Sequence, residues 1–308
     1  MGPPPTVAAV DWGGTWIRVG LATADGHLLD QVRHRRPAGL AQQRAVVADG
    51  IAGLADALGT RPVAAGVGIA GVTRGGVVES AVNIGITQPT DLARQLQANI
   101  GLPVTVVNDT QAAAVAEAAE LGDGINVLVE LGTGIGGAIV SAGRLVLGNG
   151  AAGDFGHMVV MVDGPSCPCG GRGCLEALVS GRVLDAAAQR LAAARTSPWL
   201  AAQARAQGAI HAGDLDAAAR AGDQAARGEL ARAASALVAG IHSITAALDP
   251  EVIVLGGGLL RPGSQLATQV RDQWRERRPH WSDAELRPAL LGAEAHLRGA
   301  ALIAAAMG

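Results

Sequence analysis

Apolar residues in the first part of the chain form short runs separated by glycine-rich breaks, a pattern typical of strands joined by turns. Residues 7–26 hold two such runs, divided by Gly13-Gly14-Thr15, and predict two strands in a hairpin. Residues 126–146 repeat the layout about 120 positions later, with Glu130 in the place of Asp11. Two hairpins of one design favour an internally duplicated protein with two domains.

Further along the chain, apolar runs alternate with segments of helical periodicity. Strands are expected at 62–71, 103–107 and 251–255, and helices at 111–120 and 298–307. Residues 184–248 are rich in Ala, Arg, Asp and Gln, which is compatible with low complexity. The apolar spacing within 230–241 favours a set of alanine-rich helices instead. Strands alternating with helices predict an α/β protein.

Composition narrows the class of protein. A chain of 308 residues with 49% hydrophobic content is long enough for two domains with their own cores. A net charge of −3 gives no basic surface for nucleic acid, and no charge run points to a membrane. The sequence contains no lysine, so the lysine-dependent phosphate loop of Walker-type NTPases cannot be built.

Both termini argue for a cytoplasmic protein. Residues 1–6 lack the basic and apolar regions of a signal peptide, and the apolar tail at 297–307 is too short to span a bilayer. Three clustered cysteines without a signal peptide fit a reducing compartment. We therefore expect a cytoplasmic location, with no membrane and no nucleic acid among the partners.

Three glycine turns follow apolar strands and are candidates for binding phosphate. Glycine lets backbone N–H groups approach an anion closely, whereas a single turn of this kind is as readily a plain hairpin. Residues 132–137 also satisfy G-x-G-x-x-G, but strand and not helix is predicted after them, so the dinucleotide-binding interpretation is rejected. The candidate cofactor-binding positions are Gly13, Gly14, Thr15, Gly132, Thr133, Gly134, Gly256, Gly257 and Gly258.

All three cysteines lie within eight residues, at Cys167, Cys169 and Cys174, and His157 stands ten positions upstream. Three thiolates and one imidazole complete a tetrahedral Zn²⁺ shell with no position left for water. A closed shell of that kind is structural and fixes a loop. Glu176, two residues after the last cysteine, is the first candidate for a side chain that the loop positions.

Taken together, these segments resemble the ROK family of bacterial sugar kinases and sugar-responsive repressors, within the hexokinase–actin–Hsp70 superfamily. The matching blocks span nearly the whole chain in the family's order, at 11–18, 66–71, 106–117, 131–137, 152–158, 167–176 and 254–259. The resemblance implies a two-domain, actin-like (ribonuclease H-like) α/β fold with an interdomain cleft in which ATP and sugar meet. It also implies a homodimer or homotetramer.

The expected domains are residues 1–117, completed by a C-terminal helix at about 296–308, and residues 118–295 with the zinc-binding loop. Asp109 matches the acid of the family's Asn-Asp motif and is expected to be the general base. The alternative is that Asn108 and Asp109 only cap a helix. Asp11 resembles the family residue that holds Mg²⁺ through water.

The resemblance assigns six side chains to the sugar: Asn83, Asn108, Asp109, Asp154, His157 and Glu176. His157 would use one ring nitrogen for zinc and keep the other for a sugar hydroxyl or a neighbouring partner. The alternative is a purely structural zinc knuckle with no substrate role.

Several positions depart from the family pattern. Asp154 stands where Glu is common, and Ile86 stands where many glucose-type members carry Trp. Trp12 and Trp16 replace smaller or polar residues. Without lysine, Mg²⁺, the turn amides and Arg18 must neutralise the phosphates, although Arg18 is equally compatible with a solvated surface position.

These residues predict an ATP- and Mg²⁺-dependent hexose kinase acting on the sugar 6-hydroxyl, with glucose as the first substrate and N-acetylmannosamine or another hexose as the alternative. A sugar-sensing repressor is disfavoured, because only ten residues precede Asp11 and a DNA-binding domain does not fit there. A catalytically inactive sugar sensor is disfavoured by Asp11, Asp109 and the phosphate turns. Polyphosphate as donor in place of ATP is made less probable by the zinc motif.

Overall fold

The computed structural model describes residues 5–307, which form two compact units. The first unit holds residues 5–124, 138–153 and 290–307, and the second holds residues 125–137 and 154–289. Residues 1–4, which bear on the signal-peptide argument, and residue 308 lie outside the described residues. The domain limits expected from the sequence stay a prediction.

Strands and helices alternate along most of the chain. The strands are β1 Thr6–Trp12, β2 Trp16–Thr23, β3 Leu28–Arg35, β4 Pro62–Ile69, β5 Val72–Arg74, β6 Val77–Ser80, β7 Thr90–Asp91, β8 Val104–Asn108, β9 Ile125–Leu131, β10 Ile135–Ser141, β11 Arg144–Leu145, β12 Val252–Gly256 and β13 Glu285–Pro288. The helices are α1 Leu40–Leu58, α2 Leu92–Ile100, α3 Asp109–Ala119, α4 Leu175–Leu178, α5 Gly181–Ala193, α6 Pro198–Gln207, α7 Ala212–Arg220, α8 Gln224–Leu248, α9 Gln265–Arg277 and α10 Ala295–Ala305.

Two five-stranded mixed sheets organise the fold, in the orders β3-β2-β1-β4-β8 and β11-β10-β9-β12-β13. In the first sheet, β4 and β8 lie beside the β1–β2 hairpin and run parallel to β1. In the second sheet, β12 and β13 lie beside the β9–β10 hairpin and run parallel to β9. The repeated hairpin in the sequence thus corresponds to the same position in both sheets. Strands β5, β6 and β7 form a separate three-stranded antiparallel sheet.

The first sheet is buried on both faces. On one face, α1 and α2 cover an apolar core that includes Trp12, whose indole Nε1 donates to the Gln43 Oε1 at 2.8 Å. On the other face, α10 packs on β1 and β4 through a small-residue core. Gly66 is needed there, because a Cβ at this position would lie 1.9 Å from the Ala300 carbonyl oxygen. The C-terminal helix therefore belongs to the first unit.

The region 184–248, expected to be a set of alanine-rich helices, contains most of α5 and all of α6, α7 and α8. Gly240 lets α8 approach the short helix α4 closely: a Cβ at this position would lie 2.8 Å from a methyl carbon of Leu175. Helix α8, at 25 residues, is long and apolar enough to cross a membrane by length and composition alone. Half of its most apolar window is buried within the protein, which is the pattern of a core helix.

Candidate active site

Asp11 and Asp109 lie at the same edge of the first sheet. Strands β1, β4 and β8 run parallel, with Asp11 opposite Gly68 and Gly68 opposite Val107. Asp109 begins α3 directly after β8, and a Cβ at Gly68 would lie 3.4 Å from the Asp109 Cα. Because the carboxyl ends of parallel strands share one edge of a sheet, both residues lie at that edge, on strands β1 and β8, which are two strand spacings or about 10 Å apart.

Asn108 and Asp109 stand next to each other at the start of α3, Asn108 as its N-cap and Asp109 as its first residue. The Asn108 Oδ1 accepts hydrogen bonds from the N–H groups of Thr110 and Gln111, at 2.9 and 3.3 Å, and its Nδ2 donates to the Gly71 carbonyl at 3.0 Å. Asn108 is therefore the N-cap, completed by the Gln111 side chain in a capping box. Asp109 is the first helical residue, where the helix dipole stabilises a negative charge, and its Oδ1 accepts a second hydrogen bond from the Thr110 N–H at 2.9 Å.

Asp11 is paired with Arg18 on the neighbouring strand. The guanidinium contacts the Asp11 Oδ2 through Nε at 2.7 Å and Nη2 at 2.5 Å, and its Nη1 reaches the Ala293 carbonyl. Both side chains are largely buried, with 20% and 15% exposed. Arg18 is thus held on Asp11 and is not a solvated surface arginine.

The first glycine turn is held by one backbone hydrogen bond and one from an arginine side chain. The N–H of Gly13 donates to the Trp16 carbonyl at 3.0 Å, and the Arg36 Nε donates to the Gly14 carbonyl at 2.7 Å. A Cβ on Gly14 would lie 3.5 Å from the Asn83 Cβ, which places exposed Asn83 beside the turn. The structure therefore brings this turn and Asn83 together in the first unit.

In the second unit, the Glu176 carboxylate is bound to the turn at 132–134. Its Oε2 accepts from the Ile135 N–H at 2.9 Å, and its Oε1 accepts from the Arg182 Nη2 at 2.7 Å. A Cβ on Gly134 would lie 2.2 Å from that Oε2. Glycine at 134 is thus a steric requirement of the Glu176 contact.

The third glycine turn ends β12. Gly257 has φ +90, and a Cβ there would lie 2.2 Å from the Leu131 carbonyl oxygen, so only glycine fits. The Gly258 carbonyl accepts from the Arg261 Nη1 at 2.7 Å, and Arg261 in turn faces buried Asp216 at 3.8 Å. This side-chain support holds the turn in place.

The predicted zinc ligands converge in the second unit. One donor atom from each of the four residues lies within 4.8 Å of the others. The Cys167 Sγ is 3.6 Å from the His157 Nδ1, and the Cys169 and Cys174 Sγ atoms are 3.7 Å apart. A tetrahedral shell with Zn–S near 2.3 Å and Zn–N near 2.0 Å separates its ligand atoms by about 3.5–3.8 Å. The residues present therefore fit a structural zinc ion.

The chemistry of the donors also fits a cation. Without one, burial and the neighbouring thiols raise the pKa of Cys174 to about 12. A bound Zn²⁺ reverses that preference, because coordination favours the thiolate. The His157 Nε2, on the opposite side of the ring from Cys167, faces the Asp154 Oδ2 at 3.9 Å. Loss of solvent raises the pKa of Asp154, His157 opposes that shift, and Glu176 adds to it.

The profile of the ROK family matches residues 7–307. The chain belongs to the ROK family. N-acetylmannosamine kinase from Escherichia coli (strain SMS-3-5 / SECEC) is 32% identical over 305 residues, which cover 97% of this chain and 98% of that protein. Among solved structures, the ROK hexokinase from Thermus thermophilus has a TM-score of 0.86 at 32% identity, covering 98% of both chains.

A ROK family glucokinase from Streptomyces griseus, solved in complex with glucose and AMPPNP, has a TM-score of 0.80 at 31% identity. The match covers 98% of this chain and 100% of the glucokinase chain. The resemblance seen in the sequence is thus confirmed: the protein is a ROK-family sugar kinase with the two-domain, actin-like fold of that family.

The predicted site residues fall into two sets. Those of the first unit are Asp11, Gly13, Gly14, Thr15, Asn83, Asn108 and Asp109, and those of the second unit are Gly132, Thr133, Gly134, Asp154, His157, Glu176, Gly256, Gly257, Gly258 and the cysteines. Two supporting residues were missed, Arg182 and Arg261. Arg182 lies in α5 and Arg261 in the turn between β12 and α9, and the residues around them carry no signal that separates a supporting arginine from a solvated one.

Proposed function

We propose that this ROK kinase transfers the γ-phosphate of Mg-ATP to the 6-hydroxyl of a hexose, with Asp109 as general base. The observation that carries the proposal is the division of labour at the start of α3. Asn108 caps the N–H groups of Thr110 and Gln111, so the cap does not depend on Asp109, although the Asp109 Oδ1 also accepts from the Thr110 N–H at 2.9 Å. A carboxylate on a rigid helix end can orient a sugar hydroxyl and accept its proton.

Asp11 is the residue we assign to the metal of the nucleotide. Bound Mg-ATP supplies the phosphoryl group, and Mg²⁺ neutralises developing charge. Asp11 would hold the ion through water, and Arg18 would keep its carboxylate oriented. The turns at Gly13-Gly14-Thr15, Gly132-Thr133-Gly134 and Gly256-Gly257-Gly258 would contribute backbone N–H groups in a chain that has no lysine.

For the sugar we propose Asn83, Asn108 and Asp109 from the first unit, together with Asp154, His157 and Glu176 from the second. The zinc loop supports two of these side chains. Zinc on the Nδ1 of His157 would fix the ring and leave Nε2 for a hydrogen bond, and Cys174 directly precedes α4, which carries Glu176. The zinc ion is therefore given a positioning role and no step of the reaction.

Two hexoses are the leading substrates. Glucose is our first candidate, in keeping with the glucokinase and hexokinase among the structural relatives. N-acetylmannosamine is the second, because kinases of that name are equally similar in sequence. Asp154 and Ile86 depart from the family pattern at the sugar end, so substrate choice rests on experiment. A cytoplasmic homodimer or homotetramer completes the proposal.

The test is ADP release from Mg-ATP across a panel of hexoses and N-acetylhexosamines, for the wild type and Asp109→Asn. Asp91→Asn is a matched control, because Asp91 likewise stands at a helix N-terminus of the first unit, where its side chain caps α2. We expect the wild type to phosphorylate one sugar of the panel, and Asp109→Asn to reduce that turnover at least about a thousandfold. Asp91→Asn should retain it.

Sugar affinity separates a base from a structural residue. Asp109→Asn should keep the melting temperature of the wild type and still bind the sugar, since Asn108 continues to cap α3. Turnover within tenfold of wild type in Asp109→Asn would contradict the assignment of the base. Absence of turnover with every sugar in zinc-loaded protein would contradict the choice of hexoses.

A further inference from the structure

A cavity of about 380 Å³ lies within the second unit, between the C-terminal half of α9 and the start of β13. Arg271, Arg275 and Arg278 line it, together with buried Trp274. Arg275 and Arg278 are exposed and Arg271 is half-buried, so solvent weakens the repulsion among the three charges, and an anion bound between them would remove it. None of the residues assigned to sugar, nucleotide or zinc lies in this cavity.

Two of the three arginines have no carboxylate within ion-pair distance among residues 5–307: Arg271 and Arg278. Arg275 has only exposed Asp272, at 3.4 Å. Most other ion pairs among the described residues are shorter or involve a less exposed carboxylate, as in Arg190 with Glu229 at 2.9 Å. The cavity therefore gathers two arginines that no carboxylate pairs with among the described residues, and a third whose partner is exposed.

Two features oppose an anion there, and both are weaker than the arginines. Glu285 lines the cavity, but its carboxylate is paired with Arg287 at 2.7 Å, and that pairing lowers the pKa of Glu285. The carbonyl end of α9 carries about half a negative charge. Arg271 and Arg278 carry two positive charges that no carboxylate among residues 5–307 pairs with, and Arg275 adds a third that exposed Asp272 partly offsets. Together they outweigh one carboxylate that is already paired with Arg287 and half a charge at the helix end.

The edge strand adds a backbone donor. The N–H groups of Glu285 and Ala289 bond to carbonyls of Glu251 and Leu255, on the side of β12. Because donors alternate along a strand, the N–H of Leu286 points away from β12, and Leu286 lines the cavity. Guanidinium forks and a free N–H are the groups that bind phosphate oxygens.

The cavity is also separate from the third glycine turn. Glu285 lies opposite Val252, at the amino end of β12, whereas Gly256 ends the same strand. Four residues of extended strand separate the cavity from the glycine turn by about 13 Å, so they lie at opposite ends of the strands. We propose that this cavity is a second anion site of the protein, which binds a small phosphorylated anion at a distance from the nucleotide turns.

The test is calorimetric titration of pyrophosphate into the full chain saturated with Mg-AMPPNP, so that the nucleotide site is occupied. We expect one binding event whose affinity falls as KCl is raised. Arg271→Gln/Arg278→Gln should weaken it at least tenfold. Arg277→Gln is the matched control, because Arg277 carries the same charge on the same helix but does not line the cavity, and it should change affinity less than twofold.

A further variant should change the affinity for pyrophosphate in the opposite direction. Glu285→Gln removes the carboxylate that faces the anion and should tighten pyrophosphate binding several-fold. Kinase turnover and melting temperature near wild-type values establish that each variant is folded. No binding to the nucleotide-saturated wild type, or equal binding by the Arg271→Gln/Arg278→Gln and Arg277→Gln variants, would overturn the proposal. Neither result depends on the sugar or on Asp109.

Discussion

The Glu176 carboxylate accepts a hydrogen bond from the Ile135 N–H at 2.9 Å, over the position where Gly134 has no side chain. This bond ties the short helix after the zinc loop to the glycine turn of the second sheet. A residue expected from the sequence to serve the sugar thus also determines the conformation of a candidate phosphate turn.

Gly134→Ala should disturb this bond, because the added methyl group would lie 2.2 Å from the Glu176 Oε2. We expect the free energy of unfolding to fall by about 1–3 kcal/mol. Gly132→Ala is the control for stability, since a Cβ there meets no atom within 4 Å. Denaturant unfolding of both variants measures the difference, and equal losses would show that the Glu176 contact is not the cause.

Gly299→Ala should detach the C-terminal helix from the first unit. Its Cβ would lie 1.7 Å from the Ala112 carbonyl oxygen, a backbone atom that cannot move aside. We expect a loss of about 3 kcal/mol or more of unfolding free energy. Gly53→Ala, in an exposed and open position on α1, should instead raise it by about 0.5–1 kcal/mol, because alanine favours the helix. Urea unfolding midpoints of the two variants measure these changes in stability, and we expect the midpoint to fall for Gly299→Ala and to rise for Gly53→Ala.

The Asp11–Arg18 pair should contribute measurably to stability because it is largely buried. Arg18→Met leaves the Asp11 carboxylate without its partner and should cost about 1–3 kcal/mol. Arg61→Met breaks an exposed pair with Asp56, at 3.5 Å, and should cost very little. Thermal unfolding of the two variants tests the contrast. Similar melting temperatures for both would argue against the positioning role of Arg18.

Zinc should be bound at one ion per chain and should stabilise the second unit. Cys174→Ser removes a buried ligand and should abolish zinc binding, lower the melting temperature and reduce kinase turnover. Ser166→Ala, a change beside Cys167 that keeps all four ligands, is the control. Metal analysis of the purified proteins measures the stoichiometry. Full turnover in zinc-free Cys174→Ser would limit zinc to a structural role without effect on the substrate residues.

Periodicity and local motifs were sufficient for much of the fold. Alternating apolar runs located both hairpins, and the repeat at Asp11 and Glu130 marks equivalent strands of the two sheets. Helix α3 begins at Asp109, two residues before the predicted start, because Asn108 caps it. Helix α9 and the edge strands β3 and β13 were not predicted, since their many polar positions weaken the periodic signal. Helix α1 was not predicted either, because alanine and glycine occupy many of its positions and give little contrast between its faces.

The sequence by itself determined the family, the candidate zinc ligands and the aspartate proposed as general base, Asp109. Those signals are local: spacing, residue type and a strand end are all read from neighbouring positions. Only the tertiary structure separated the roles of Asn108 and Asp109, paired Arg18 with Asp11 and Arg182 with Glu176, and gathered the arginines beside β13. Partners of this kind depend on how strands and helices pack, and no spacing along the chain records which surfaces will meet.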